Sequence, residues 1–564
     1  MRFSAAAFLT AALAVPILVS IESCGPNMTQ QNDITLAIVN ARVWTGNPRQ
    51  PWASGVAISG ERIAAVGSSA EIAKLARANP QARVIDAKGG LVTPGFIDSH
   101  VHFIDGGYRL SSVQLRDAKT PAEFTARIKA YAATVSPGTW ITGGDWDHQR
   151  WGGELPTRQW IDSVTPNNPV WVSRLDGHMA LANGAALAAA KVTRATPEVA
   201  GGTIVRNAAG EPTGVLKDNA QSYVNAVEPP HAAELDDRAL QAAMKYVGER
   251  GVTSVHNMGG FINLAAFDRA RAAKTLTTRI YAVTPIAQWE RLRDAVAKRG
   301  KGDEWLRIGG LKGFVDGSLG SHTAAMFAPF TDTPKDSGFL VETEKDLYTW
   351  TSEADKAGLQ IIVHAIGDRA INTQLNIFER VASENGAKDR RFRIEHAQHI
   401  APADIPRFAT LGVIPSMQPY HAIDDGRWAE KVIGPERAKT TYAFKALRDA
   451  GARLSFGSDW FVAPPTPLEG IYAAVTRRTL DDRNPDGWVP EQKIGVEDAL
   501  KAYTVNAAFA SFDESIKGSL ERGKLADIVL IDRDITTIPP ETIRDARVLI
   551  TIVGGRVVFE ASTK

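Results

Sequence analysis

The segment Asp98-Ser99-His100-Val101-His102 sets two imidazoles two residues apart at the end of an apolar run. Residues i and i+2 of a strand share one face, so His100 and His102 can hold one cation between them. Three further donors end β-type runs. His364 closes Leu359-Gln360-Ile361-Ile362-Val363, His396 ends Arg393-Ile394-Glu395, and Asp459 follows Leu454-Ser455-Phe456-Gly457-Ser458. Taken singly, a strand-end His is more often structural, and an Asp there more often caps the next helix. Taken together, four imidazoles and one carboxylate form a nitrogen and oxygen donor set suited to zinc or a similar first-row ion. Cys24 is the single cysteine, which excludes an internal disulfide framework and a Cys-rich metal module. Any metal here is held by His, by carboxylates or by a modified side chain.

Donors so far apart in sequence need a scaffold that gathers strand ends. Candidate strands after position 90 lie near 92–97, 140–142, 170–173, 252–256, 279–283, 308–314, 360–364, 392–396, 412–416 and 453–457. They alternate with helical stretches, which argues for parallel β/α architecture. A closed (β/α)8 barrel holds two fewer strands than this. The surplus pair falls in 104–235, a long Gly/Asn/Pro-rich region of irregular spacing. Short β signals also fill both chain ends, at Ile34–Val39, Arg42–Thr45, Gly55–Ile58 and Arg62–Val66, then Ile528–Ile531, Val548–Val553 and Arg556–Phe559. The expected fold is therefore α/β, a TIM-type (β/α)8 barrel over 93–103 and 236–519. A small β-sandwich of antiparallel strands is expected from both chain ends (34–92 and 520–562). The insertion 104–235, after the first barrel strand, should cover the barrel mouth. Each metal donor then stands at the C-terminal end of a barrel strand, the face where barrel enzymes keep their chemistry.

Composition narrows the function classes. The 564 residues are 44% hydrophobic and 23% charged, ordinary for a globular chain and unlike a disordered or polytopic membrane protein. The formal net charge of +1 gives no electrostatic footprint for nucleic acid, so a small-molecule substrate is the expected partner. Residues 1–23 read as a signal peptide: Arg2 is basic, and no charge follows from Phe3 to Ile21. Ile21-Glu22-Ser23-Cys24-Gly25 resembles a bacterial lipobox, with lipidation expected at Cys24 and a polar tether over 24–33. The expected location is outside the cytoplasm, periplasmic or membrane-anchored at a bacterial cell envelope, with no membrane contact beyond that anchor. A homodimer is the default assembly for a soluble enzyme.

With these residues in place, the chain resembles the amidohydrolase superfamily, and within it the amidohydrolase 3 branch that includes N-substituted formamide deformylases. The resemblance covers 34–562. It rests on Thr93-Pro94-Gly95-Phe96-Ile97-Asp98-Ser99-His100-Val101-His102, on Lys312-Gly313-Phe314-Val315-Asp316-Gly317-Ser318-Leu319-Gly320, on His364, His396 and Asp459, and on Lys524-Leu525-Ala526-Asp527-Ile528-Val529. Alone, Lys312 reads as a salt-bridge lysine facing Asp316, because an ammonium has no lone pair for a metal. The resemblance implies instead that Lys312 takes up CO2 as a carbamate and bridges two divalent ions, zinc being expected. Burial beside cationic centres favours the neutral amine this requires. A single ion beside an unmodified Lys312 is the alternative. The resemblance further implies that His100, His102 and Asp459 hold the more buried ion and His364 and His396 the other, with Asp459 the catalytic proton carrier.

The implied activity is zinc-dependent hydrolysis of a C–N bond, amide or N-formyl, in a small molecule, by a metal-activated hydroxide. An ester or lactone hydrolase on the same site and a catalytically inactive envelope binding lipoprotein are the alternatives. Trp146, His178, Ser318, His322 and Tyr420 are expected around the substrate, and Asp98 either orients His100 or His102 or serves as a turn residue. The branch carries Arg where this chain has His322. Trp140, Trp146, Trp151, Trp160 and Trp171, all in the insertion, hint at an apolar or aromatic leaving group.

Overall fold

A computed structural model describes residues 33–562. The expected signal peptide and Cys24 lie outside the described residues. Eight parallel strands form one sheet in chain order: Phe96–Val101, Val252–Met258, Arg279–Pro285, Leu306–Phe314, Gln360–Ala365, Arg393–His396, Ile414–Met417 and Ser455–Phe456. Both faces of such a sheet are covered, so its strands read as near-continuous apolar runs; every residue of Gln360–Ala365 is buried. The seam between the eighth strand and the first is drawn together at the end that carries the donors. There Asp459 N–H donates to the His100 carbonyl at 2.7 Å, and His102 N–H donates to the Trp460 carbonyl at 2.6 Å. The barrel expected from the sequence is this sheet.

The first strand departs from expectation. The run near 92–97 is two strands, not one. Leu91–Pro94 pairs with Ile528–Ile531 in the terminal β domain, and Phe96–Val101 enters the barrel. Gly95 separates them, and a Cβ there would collide with Thr253 of the neighbouring strand. His100 is thus on the strand, and His102 stands one residue beyond its end, at the start of the helix Phe103–Arg109.

Both chain ends meet in two packed sheets, a four-stranded one and a six-stranded one, whose facing side chains (Ile38, Val56, Val92, Ile528 and Ile552 among them) share one core. The pairing is not purely antiparallel. Leu36–Val39 runs parallel to Arg83–Asp86, and Arg42–Trp44 parallel to Leu91–Pro94. Parallel neighbours need a crossover, and the helix Ser69–Arg77, absent from the sequence reading, lies in the first of these connections. Its start is fixed by a capping box between Ser68 and Glu71.

The surplus candidate strands lie in a six-stranded sheet of the insertion, as Ile141–Trp146 and Val170–Arg174. Trp146, Trp151 and Trp160 pack around Phe124 in that unit's own core. No helix among the described residues is long and apolar enough to cross a membrane.

One buried histidine outside the site gives a stability prediction. His399 is 2% exposed and shares a 2.9 Å hydrogen bond with Thr441 Oγ1. Burial, aided by Arg437, pushes its pKa down to about 3. The unfolded chain protonates this side chain near pH 6.5 and the folded chain does not, so its contribution is lost as pH falls below about 6.5. The stability difference between wild type and His399→Asn should therefore shrink by about 2 kcal/mol from pH 7.5 to pH 5, read from urea midpoints.

Candidate metal centre

The strand ends bring all six expected donors into one cluster. His100 Nε2 is 3.3 Å from Asp459 Oδ1 and 3.3 Å from Lys312 Nζ, and His102 Nε2 is 3.3 Å from the same Asp459 oxygen. The His396 ring lies 4.9 Å from that of His100 and 4.5 Å from that of His364. Donor atoms of His100, His396 and Asp459 all fall within 4.8 Å of one another. All six are buried except His102, which is partly open to the cavity.

Three of the imidazoles have one nitrogen committed elsewhere. His100 Nδ1 meets Glu395 Oε2 at 2.5 Å, His364 Nε2 meets the Gly317 carbonyl at 2.9 Å, and His396 Nδ1 meets Gln418 Oε1 at 2.9 Å. Each partner is an acceptor, so the tied nitrogen carries the proton and the other keeps its lone pair. Burial, with neighbouring basic groups adding to it, holds all three well below the usual imidazole range, in the neutral form a cation needs.

Asp459 Oδ1 is buried and makes no hydrogen bond among the described residues. An orphaned carboxylate oxygen between two imidazole nitrogens is costly unless a cation satisfies it. Burial also lowers Lys312, against Glu395 and Asp459 which oppose it, to a pKa of about 8, so a fraction of neutral amine exists near neutrality. The donor set fits a divalent cation.

Two expectations about neighbouring carboxylates fail. Asp98 touches no imidazole nitrogen. It accepts from Ser458 Oγ at 2.5 Å, from Ser458 N–H at 2.8 Å and from His100 N–H at 3.3 Å, and so ties the Asp459 loop to the first strand. Asp316 does not pair with Lys312; it accepts three backbone N–H groups, from Ala325, Ile366 and Gly367, and braces the loop after His364.

The group that orients His100 is Glu395, which the sequence reading missed. It is fully buried, with Oε1 accepting from Arg393 Nε at 2.9 Å. The signal was present: Arg393 and Glu395 alternate in a strand that is buried throughout, so two charges had to face each other inside the barrel. Glu395→Gln keeps the shape and removes the charge. It should weaken metal affinity by about 10- to 100-fold, measured by competition with a chelator.

A cavity of about 550 Å3 opens over the donors, walled by barrel loops and by the insertion. His178 and Ser318 are in its wall, as expected. Ser318 Oγ is given to Asp176, which Arg174 also grips at 2.6 Å. His178 Nδ1 lies 2.6 Å from Asp218 Oδ1; burial disfavours its charge, but Asp218, Asp176 and Asp316 together lift its pKa. The other three expected substrate residues are elsewhere. Trp146 is fully buried in the insertion core, its Nε1 donating to the Val172 carbonyl, because that ring fills space between strand and helix. His322 pairs with Asp332 in a separate cavity of about 240 Å3. Tyr420 lies outside the wall, and His421, the next residue, faces it. None of the five insertion tryptophans lines the cavity; its aromatic groups are Phe314, at the end of the fourth strand, and Phe461 and Trp428 from barrel loops.

Residues 83–559 match the model of the amidohydrolase family. The chain is 40% identical over 539 residues to Protein LONG AFTER FAR-RED 3 of Arabidopsis thaliana, covering 93% of this chain and 91% of that protein. It is 30% identical to the putative amidohydrolase YtcJ of Bacillus subtilis (86% and 92% covered) and 30% identical to the N-substituted formamide deformylase of Arthrobacter pascens (94% and 99% covered). An uncharacterized metal-dependent hydrolase from Pyrococcus horikoshii OT3 superposes with a TM-score of 0.73 at 29% identity, over 90% of this chain and 99% of that one. The site and the barrel are those of a metal-dependent hydrolase. The chain belongs to the amidohydrolase family.

Proposed function

We propose that this protein hydrolyses a C–N bond, amide or N-formyl, of a small molecule, using two divalent ions, zinc by preference of the donor set. The observation that carries the reading is the buried, unpartnered Asp459 Oδ1 set between His100 and His102. His100, His102 and Asp459 would hold one ion and His364 and His396 the other, with Lys312, once carboxylated, as a further oxygen donor. Bound there, such ions polarise a carbonyl and lower the pKa of water from about 15.7 to about 7. The remaining chemistry belongs to the chain. Asp459 takes the proton of the attacking water and returns it to the leaving nitrogen, because an amine anion is too poor a leaving group to depart unprotonated. Glu395, Gln418 and the Gly317 carbonyl hold three imidazoles in one tautomer. The resemblance to a formamide deformylase supports a C–N bond over an ester. The same reading has the chain exported and held at a bacterial cell envelope through lipidated Cys24. The test is turnover of a panel of N-formyl, N-acetyl and ester compounds before and after chelation. Chelator-reversible amide hydrolysis is expected. Turnover of esters alone would move the reading to an ester hydrolase. A metal-free chain that binds the compounds and cleaves none would make it a binding protein.

A further inference from the structure

The smaller cavity, of about 240 Å3, is walled by the insertion and by barrel loops, and Trp428 and Gly320 belong both to its wall and to the wall over the metal donors. Its polar lining is His148, Gln149, Lys217, His322, Asp332 and Lys431. Asp332 is the single carboxylate among these, and His322 Nε2 already meets it at 3.0 Å. Half-buried Lys217 gives one N–H to the Ser321 carbonyl at 2.7 Å and makes no ion pair among the described residues. Burial works against its charge, Asp218, Asp336 and Asp176 favour that charge from beyond ion-pair distance, and the balance leaves its pKa lowered. His148 is 4% exposed, and Arg174 Nε–H donates to its Nδ1 at 3.3 Å. A guanidinium can only donate, so Nδ1 keeps its lone pair and Nε2 carries the hydrogen. Burial, with Arg174 adding to it, draws the pKa of this ring down to about 3, so the ring is neutral. No described residue accepts from its Nε2–H.

We propose that this cavity is a binding site for a small oxyanion, a carboxylate or a phosphate-type group, held by the Lys217 ammonium and His148 Nε2–H with exposed Lys431 at the rim. Donors and positive charge are in excess there, and the one carboxylate is taken. An ammonium shielded from water without a counter-charge in contact is costly, and an oxyanion supplies that contact while accepting from both donors at once. The group is either the far end of the substrate, reached past the shared Trp428 and Gly320, or a free anion. The site stands without the hydrolase reading.

The probe is selenate on the metal-loaded full chain, located in crystals by anomalous scattering at the selenium edge and titrated in solution by calorimetry. A peak within hydrogen-bond distance of Lys217 Nζ and His148 Nε2 is expected. Lys217→Met should weaken selenate binding at least about 10-fold and His148→Phe about 5-fold, with metal content per chain unchanged. Succinyl and acetyl 4-nitroanilides separate the two sources of the anion. If the substrate carries it, the succinyl-to-acetyl ratio of kcat/KM falls at least about 10-fold in Lys217→Met, and selenate competes with the succinyl compound. If the anion is free, that ratio is the same in both proteins. Selenate found at the metal centre alone, or bound equally by wild type and both variants, would overturn the proposal. A wild type that cleaves neither anilide yet holds selenate in this cavity would count against the hydrolase reading and leave the oxyanion site standing.

Discussion

Asp459→Asn is expected to fold as the wild type does and to lose turnover by at least about 10³-fold. The two halves of that expectation have separate causes. Folding is spared because Asp459 Oδ1 makes no hydrogen bond among the described residues, while the backbone of the loop is held by Asp459 N–H to His100 and by the Ser458 contacts with Asp98. An amide of the same shape disturbs none of these, so the thermal midpoint of the metal-free protein should move by less than about 2 °C. Turnover is lost because an amide can neither accept the proton of the attacking water nor return it to the leaving nitrogen. Steady-state rates and melting curves on one preparation decide it. Turnover equal to wild type would refute the role given to Asp459.

Lys312→Ala should be nearly as damaging, by a different route. Lys312 stands on the fourth barrel strand, 6% exposed, with Nζ 3.3 Å from His100 Nε2. With Nδ1 given to Glu395, His100 Nε2 keeps a lone pair, and a carbamate on Lys312 would add an anionic oxygen donor beside that lone pair for a cation to use. The variant should lose at least about 100-fold in turnover and bind about one ion in place of two. Added acetate or propionate should restore part of the rate, because a small carboxylate fits the space and supplies the missing oxygen donors. In wild type, reconstitution with metal in CO2-depleted buffer should give less activity than the same mixture with bicarbonate. A Lys312→Ala enzyme with full metal content and full rate would show that the lysine is no ligand.

The donors themselves were legible because their signal is one-dimensional. His100, His364, His396 and Asp459 each end a β-type run, and the C-terminal ends of barrel strands meet at one face. What orients the donors was not legible in the same way. Glu395 and Gln418 reach His100 and His396 across strands, and such partners follow from three-dimensional neighbours. Trp146 was misplaced because a tryptophan suits a core as well as a substrate wall, and only the packing around Phe124 decides between them. His322 was misplaced because the loop after the fourth strand turns at Ser318–Thr323 and carries it to Asp332. The division of the run at Leu91–Val101 hinged on Gly95, whose closeness to Thr253 is a fact of barrel geometry that no local pattern displays.

The most direct measurement is a crystal structure of the protein with its native metal, with ions located by anomalous scattering at the zinc edge. Two peaks about 3.5–4 Å apart are predicted, one against His100, His102 and Asp459, the other against His364 and His396, with density for a carbamate on Lys312 reaching both. A fully occupied metal bound elsewhere, or a cluster of these six side chains that takes no ion at saturating zinc, would contradict the account.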